Sequence, residues 1–152
     1  MEIAIIQYEQ QFAADFKKLN LEWLDKYSLT EEADLKVLND PEKEILATGG
    51  CIFLAKAGGE IVGSCALIPE GQDEYELAKM AVAPAFQGNG ISKMLLEKCL
   101  DEAVNKKAKR IFLLSNSQLN TAVSLYEKYG FRHIPVTGSH YVTADVMMEK
   151  IL

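Results

Sequence analysis

Histidine is scarce in this chain, and its few cysteines are not arranged to hold a metal. There are 2 His and 3 Cys in 152 residues. Cys51, Cys65 and Cys99 show no C-x-x-C spacing, and His133 and His140 lie far from them along the chain. Zinc-site and dithiol redox patterns are therefore excluded. The odd cysteine number and the apolar neighbours of all three point to reduced core thiols and a cytoplasmic compartment. No apolar run reaches the ~20 residues that a membrane helix needs. The opening Met1-Glu2-Ile3-Ala4-Ile5-Ile6 lacks the basic start of a signal peptide. Repeats, low-complexity tracts and linkers are missing as well. Positive charge is in deficit, 16 Lys and Arg against 22 Asp and Glu, a net charge of −6. That balance disfavours nucleic acid as a partner and is compatible with a cationic substrate. What is present, 49% hydrophobic residues in 152, suits one soluble globular domain with its own core, spanning residues 1–152.

The chain is organised around the stretch from Leu77 to Leu96. Leu77, Ala78, Met80, Ala81 and Val82 form the near-continuous apolar run of a strand covered on both faces. Pro84, with no N–H for a ladder, stops it. Gly88 and Gly90 then permit a tight turn or the close approach of a ligand to the backbone. Ile91, Met94, Leu95, Cys99 and Ala103 recur at helical spacing. The first-turn N–H groups of such a helix lack intrahelical partners and carry the positive end of its dipole, which makes a place for phosphate. A lone G-x-G more often only shapes a turn. The dinucleotide fingerprint fails, because Lys93 stands where its last glycine belongs and 107–109 supply no ribose-binding acid. No P-loop string exists either, so an ATP- or NAD-dependent enzyme is disfavoured.

Residues 2–7 read as a first strand. Phe12, Phe16, Leu19, Trp23 and Tyr27 make one helical stripe, core in the main. Ser28-Leu29-Thr30-Glu31 matches a capping box and predicts a short helix to about Asn39. Glu31, Glu32 and Asp34 in its first turn read as a solvated helix start, with a site for a cationic acceptor as the alternative. Cys51–Ala57 and Glu60–Pro69 predict a hairpin around Gly58-Gly59, and 71–73 the next turn. The basic 105–109 run closes the glycine-turn helix. A strand over 110–114, a helix over about 118–129 capped by Gly130, and strands over 131–134 and 142–150 complete the chain. This order is α/β or α+β rather than a bundle.

Gln87-Gly88-Asn89-Gly90-Ile91-Ser92 resembles the acetyl-CoA-binding motif of the GNAT acyltransferase superfamily, in which Gln or Arg is followed by G-x-G or G-x-A after two variable residues. Ser92 departs from it at the last position. Asn120-Thr121-Ala122-Val123-Ser124-Leu125-Tyr126-Glu127-Lys128-Tyr129-Gly130-Phe131 resembles a second block of the same family, N-x-x-A-x-x-L-Y-E-K-x-G-F. The resemblance implies a strongly twisted, mixed but mostly antiparallel sheet of about seven strands with about four helices, its fourth and fifth strands splayed to admit a cofactor arm. It implies an acetyl-CoA-dependent N-acetyltransferase acting on a primary amine by direct transfer in a ternary complex. A non-catalytic acyl-CoA-binding module is the alternative. By the same resemblance Tyr126 is the general acid toward the departing sulfur, with a packed core tyrosine as the plainer reading. Glu76 matches the general base of some members, Glu74, His133 and His140 being other proton acceptors, and it shares a strand face with Ala78, Met80 and Val82. Met80, Ala81 and Val82, the 87–92 turn, Asn116, Asn120 and Tyr126 are the implied cofactor contacts. Asn120 serves equally well as a helix cap. Trp23 and Tyr27 are implied to wall the acceptor site. Tyr129 falls on a variable position and is structural. A monomer or homodimer, free of membrane and metal, is the expected state.

Overall fold

The computed structural model describes residues 2–152. The chain opens with β1 (Ile3–Gln7), then α1 (Ala13–Lys26), α2 (Glu32–Asn39) and the single turn α3 (Pro41–Glu44). Strands β2 (Cys51–Ala57), β3 (Glu60–Pro69) and β4 (Glu74–Val82) follow. Then come α4 (Ile91–Asn105), β5 (Arg110–Ser115), α5 (Asn120–Lys128), β6 (Arg132–Ile134) and β7 (Val146–Ile151). The seven strands form one sheet in the order β1-β2-β3-β4-β5-β7-β6. Every pairing is antiparallel except that of β4 with β5. The hairpin around Gly58-Gly59 has the bounds its sequence predicts.

Alternation along β2 divides the core between the two faces of the sheet. Phe53, Ala55 and Ala57 point to the side covered by α4, where Ile91, Leu95, Leu96, Cys99 and Ala103 are buried. Ile52 and Leu54 point the other way, to Phe16 of α1 and Leu38 of α2. Each of the leucine, isoleucine and phenylalanine side chains among them contributes about 1.5–3 kcal/mol when fully buried. Helix α4 lies so close to β3 that a Cβ on Gly63 would stand 3.0 Å from Ile91 Cγ2 and from Leu95 Cδ1.

Several boundaries differ from expectation. The capping residue of α2 is Glu31, not Ser28, and Asp34 accepts the Glu31 N–H at 2.9 Å. Ser28 instead takes a left-handed turn conformation, φ +56°. The extra turn α3 brings the helices to five, because Asp40 accepts from Lys43 N–H and Pro41 presets the first helical φ. The last strand starts at Val146, since 142–145 serve as a loop held from outside the sheet.

Two irregularities lie side by side in the middle of the sheet. β4 and β5 pair only over Glu74–Arg110, Tyr75–Ile111 and Glu76–Phe112, then part. On its other edge β4 bulges against β3, where the register shifts between Ser64 and Ala66. The bulge falls at Lys79, a non-glycine residue with φ +55°. It ends the expected alternation, so Glu76 does not continue on one face through Met80 and Val82.

Candidate active site

The parting of β4 and β5 opens two cavities that share a border. The first, about 120 Å³, lies between Leu77–Met80 and Leu113–Asn116 and is walled by α1, α2 and the loop carrying Tyr141 and Thr143. The second, about 530 Å³, lies between Met80–Val82, the 87–93 turn and α5. Trp23, Met80 and Tyr126 line both. A group lying across that border touches all three.

The larger cavity is shaped for an extended anionic molecule. Gly88 (φ +82°) and Gly90 (φ +75°) hold the turn in conformations that other residues rarely adopt. A Cβ at either would meet nothing within 4 Å, so the backbone there faces open space. Gly90 caps α4 without a side-chain acceptor, and no acidic residue stands in the first turn. The first-turn N–H groups are left free to meet an anion, with the helix dipole behind them. Asn89 donates to Phe86 and Gln87 carbonyls and Gln87 to the Val82 carbonyl, which fixes the turn against β4. Lys93 and Lys128 add positive charge to the rim. Asn120 lines this cavity, and it is not the helix cap, because Leu119 occupies that position and α5 has no side-chain cap bond.

Two buried titratable groups, Tyr126 and Glu76, line the smaller cavity. Tyr126 is 6% exposed, and burial, with Cys65 and Cys99 nearby, pushes its hydroxyl well above the usual tyrosine range. It stays protonated at any physiological pH and so stands as a donor. Glu76 is 3% exposed. Burial raises its carboxyl from the ordinary 4.5 to about 7, with Lys79 opposing and Glu70 and Asp34 adding. The His140 ring stands beside it, with Nε2 3.5 Å from Glu76 Oε1. The other acceptors weighed from sequence are engaged elsewhere: Glu74 holds Arg110 at 2.7 Å and His133 faces Glu127 at 3.3 Å. Tyr129 donates to Glu97 at 3.0 Å, away from both cavities.

Trp23 and Tyr27 meet edge to face at 5.6 Å on the α1 side of the border. Trp23 lines both cavities and Tyr27 only the larger one. Asn116 lines the smaller cavity, where its amide donates to the Thr143 carbonyl at 2.7 Å and accepts from Gln118 N–H at 2.9 Å. Met80, Ala81 and Val82 supply the wall between turn and strand.

The sequence did not single out the network that holds the bulge. Asn20 donates to Ser64 Oγ at 3.0 Å, and Ser64 Oγ donates to the Lys79 carbonyl at 2.6 Å. Lys79 Nζ lies 2.6 Å from Asp34 Oδ1, with both side chains 5% exposed. Tyr141 Oη accepts from the same ammonium at 3.3 Å. Asp34 is thus a buried partner and not part of a solvated helix start. Glu31 accepts from the N–H groups of Val142 and Thr143 and from the Thr143 hydroxyl, which pins the loop above the cavity. The available signals were a lysine inside an apolar strand and an asparagine on an apolar helix face.

The model of the acetyltransferase (GNAT) family matches residues 15–131. The uncharacterized N-acetyltransferase YjgM of Escherichia coli (strain K12) is 30% identical over 116 residues, 72% of this chain and 70% of that protein. Human N-acetylaspartate synthetase is 36% identical over 102 residues, 66% of this chain but 33% of that longer protein. Among solved structures, a GNAT-family acetyltransferase from Staphylococcus aureus Mu50 superposes with a TM-score of 0.89 at 23% identity, covering 99% of both chains. PaiA N-acetyltransferase from Thermoplasma acidophilum, in complex with coenzyme A, gives 0.77 at 20% identity over the whole of both.

Proposed function

The chain belongs to the acetyltransferase (GNAT) family, and on that premise we propose that it is an N-acetyltransferase that moves an acetyl group from acetyl-CoA to a primary amine by direct transfer. The observation that carries this reading is the border between the two cavities, where Tyr126 and Met80 meet both an anion-ready turn and a buried carboxylate.

The residues present fit acetyl-CoA. The uncapped N-terminus of α4 and the Gln87–Ser92 turn are suited to its pyrophosphate. The edge of β4 over Met80, Ala81 and Val82, unpaired after the strands part, offers backbone groups to an extended arm as an added strand would. Asn120 and Asn116 stand on its far side. Acetyl-CoA supplies the activated acyl group and a thiolate leaving group.

This chain's own residues then have two tasks. An amine of lysine-like pKa is only ~0.1% free base near neutral pH, so a base must take its proton. Glu76, buried and with a pKa of about 7, is half ionised near neutrality and matches that task. His140 stands next in line to carry the proton outward, with its side chain 47% exposed. Tyr126, kept protonated by burial, donates its hydroxyl proton toward the departing sulfur. No cysteine lines either cavity, which supports direct transfer over an acyl-enzyme.

The test is a thermal-shift titration with acetyl-CoA, CoA, ATP and NADH, followed by an amine panel read by CoA release. A ligand at ~100 times its Kd should stabilise by about 2.7 kcal/mol. Shifts with the CoA species alone and release on amine addition are expected. Shifts without release from any amine would make the protein a binding module instead, and the absence of any CoA shift would remove the reading altogether.

A further inference from the structure

The acceptor-side cavity carries information about the amine itself. Asp34, Glu76 and Lys79 are its charged lining residues. Lys79 is already engaged: its ammonium lies 2.6 Å from Asp34, 3.3 Å from Tyr141 Oη and 5.2 Å above the Tyr141 ring. The two charges of that pair cancel within the wall. Glu76 is not engaged in the same way. It is 3% exposed and lines the cavity; the Lys79 charge acts on it without pairing with it, and among the described residues its one partner at ion-pair distance is the His140 ring, whose Nε2 lies 3.5 Å from Oε1. His140 is not itself part of the lining. The remaining wall is uncharged: apolar and aromatic side chains such as Trp23, Leu24 and Leu29, with polar ones largely engaged, the Asn20 amide on Ser64, the Asn116 amide on the Thr143 carbonyl and the Thr143 hydroxyl on Glu31.

Resting on the acetyltransferase reading above, we propose that the acceptor is a small primary amine with no carboxylate on the carbon that bears the nitrogen, and not an α-amino acid. A cationic amine gains from the Glu76 carboxylate, which no lysine or arginine among the described residues pairs with. A carboxylate two bonds from that nitrogen is carried into the same space. There it meets Glu76 as a like charge, and the one lysine in the wall is already held by Asp34. A buried carboxylate without its own cation is strongly disfavoured. The loop carrying Tyr141, Thr143 and Ala144 closes over this side and is pinned by three hydrogen bonds to Glu31. That enclosure favours a short free amine over the terminus of a folded protein.

The experiment uses matched pairs at saturating acetyl-CoA: tyramine with tyrosine, phenethylamine with phenylalanine, agmatine with arginine, and a short peptide with a free N-terminus. CoA release gives kcat/KM for each. The decarboxylated member of a pair is expected to exceed its parent by about 100-fold or more, a difference of about 2.7 kcal/mol in transition-state binding. Asp34→Asn removes the charge that answers Lys79, and the ratio should then narrow about tenfold as the freed ammonium accepts a carboxylate. Amino acids used as well as their amines, or acetylation confined to the peptide, would overturn the proposal while leaving the acetyltransferase reading intact. If acetyl-CoA binds and no acceptor releases CoA, that reading fails first and takes this one with it.

Discussion

Glu76→Gln isolates one buried carboxylate, and the sign of its effect on stability can be worked out. The folded-state pKa of Glu76 is about 7 against an ordinary 4.5, mainly because burial disfavours the ionised form. Between those two values the folded chain therefore holds more proton at this group than the unfolded chain does. Stability contributed here must fall as pH rises through the window, and the full cost is present above the folded pKa. At 1.36 kcal/mol per pKa unit, raising the pH from 5 to 8 removes about 2.5 kcal/mol through this one group. Glutamine has nothing to titrate. Urea denaturation of both proteins at pH 5 and pH 8 should therefore show the wild type losing about 2.5 kcal/mol more than Glu76→Gln over that interval. Parallel profiles, agreeing within about 0.5 kcal/mol, would refute the argument, because a carboxyl that is 3% exposed and unshifted is not what the structure shows.

In the proposed role of base, the same group affects activity with the opposite sense. A base is useful only when ionised, so kcat/KM should climb with pH up to about 7 and then flatten. Glu76→Gln should lose the limb near pH 7 together with roughly 10²–10⁴ of rate. The carboxylate that costs stability above pH 7 is the one the proposed reaction uses there, and a stability gain paired with an activity loss in one variant would link the two readouts.

Tyr126→Phe keeps the ring that meets Phe131 edge to face at 5.8 Å and removes only the hydroxyl. It should lower kcat by roughly 10²-fold or more while the thermal shift with acetyl-CoA is retained. Glu31→Ala releases Val142 and Thr143, which should cost about 2 kcal/mol in denaturation and raise the acceptor KM more than it lowers kcat. Asp34→Ala leaves the Lys79 ammonium buried and unanswered and should cost ~3–5 kcal/mol, whereas Asp34→Leu combined with Lys79→Met should restore most of it. Gly63→Ala sets a methyl 3.0 Å from both Ile91 and Leu95 and should cost about 1–3 kcal/mol through displacement of α4.

Periodicity made most of the sheet legible. The β2–β3 hairpin, β4 and the buried face of α4 follow from apolar spacing and from glycines and prolines at turns, because those signals are local. One side of the larger cavity was legible too, since the 87–92 turn that lines it is one contiguous stretch. Misplaced boundaries were those decided by distant partners. Val142 and Thr143 read as strand from their β-branched side chains, yet their N–H groups belong to Glu31, more than a hundred residues away in the chain. Ser28 read as a helix cap, yet Glu31 and Asp34 supply that function between them.

Lys79 shows why the smaller cavity stayed hidden. In sequence it is a charge on an otherwise apolar strand, and alternation alone would place Glu76, Met80 and Val82 together. The bulge at Lys79 breaks that period and costs on the order of 1–3 kcal/mol in backbone strain. It persists because three separate elements hold it: Ser64 of β3 on its carbonyl, Asn20 of α1 on Ser64, and Asp34 of α2 on its ammonium. Those three positions are unremarkable singly and lie 14 to 59 residues from one another or from Lys79 in the chain. Only the closed fold brings them to one point. The bulge follows closely on the last β4–β5 pair, at Glu76, and Lys79 lines the smaller cavity, so the support of Lys79 also bears on that cavity's wall. It follows that Ser64→Ala, far from any reacting atom, should lower kcat while leaving acetyl-CoA affinity nearly unchanged. An affinity loss as large as the rate loss would show that the bulge only supports the sheet and does not position the chemistry.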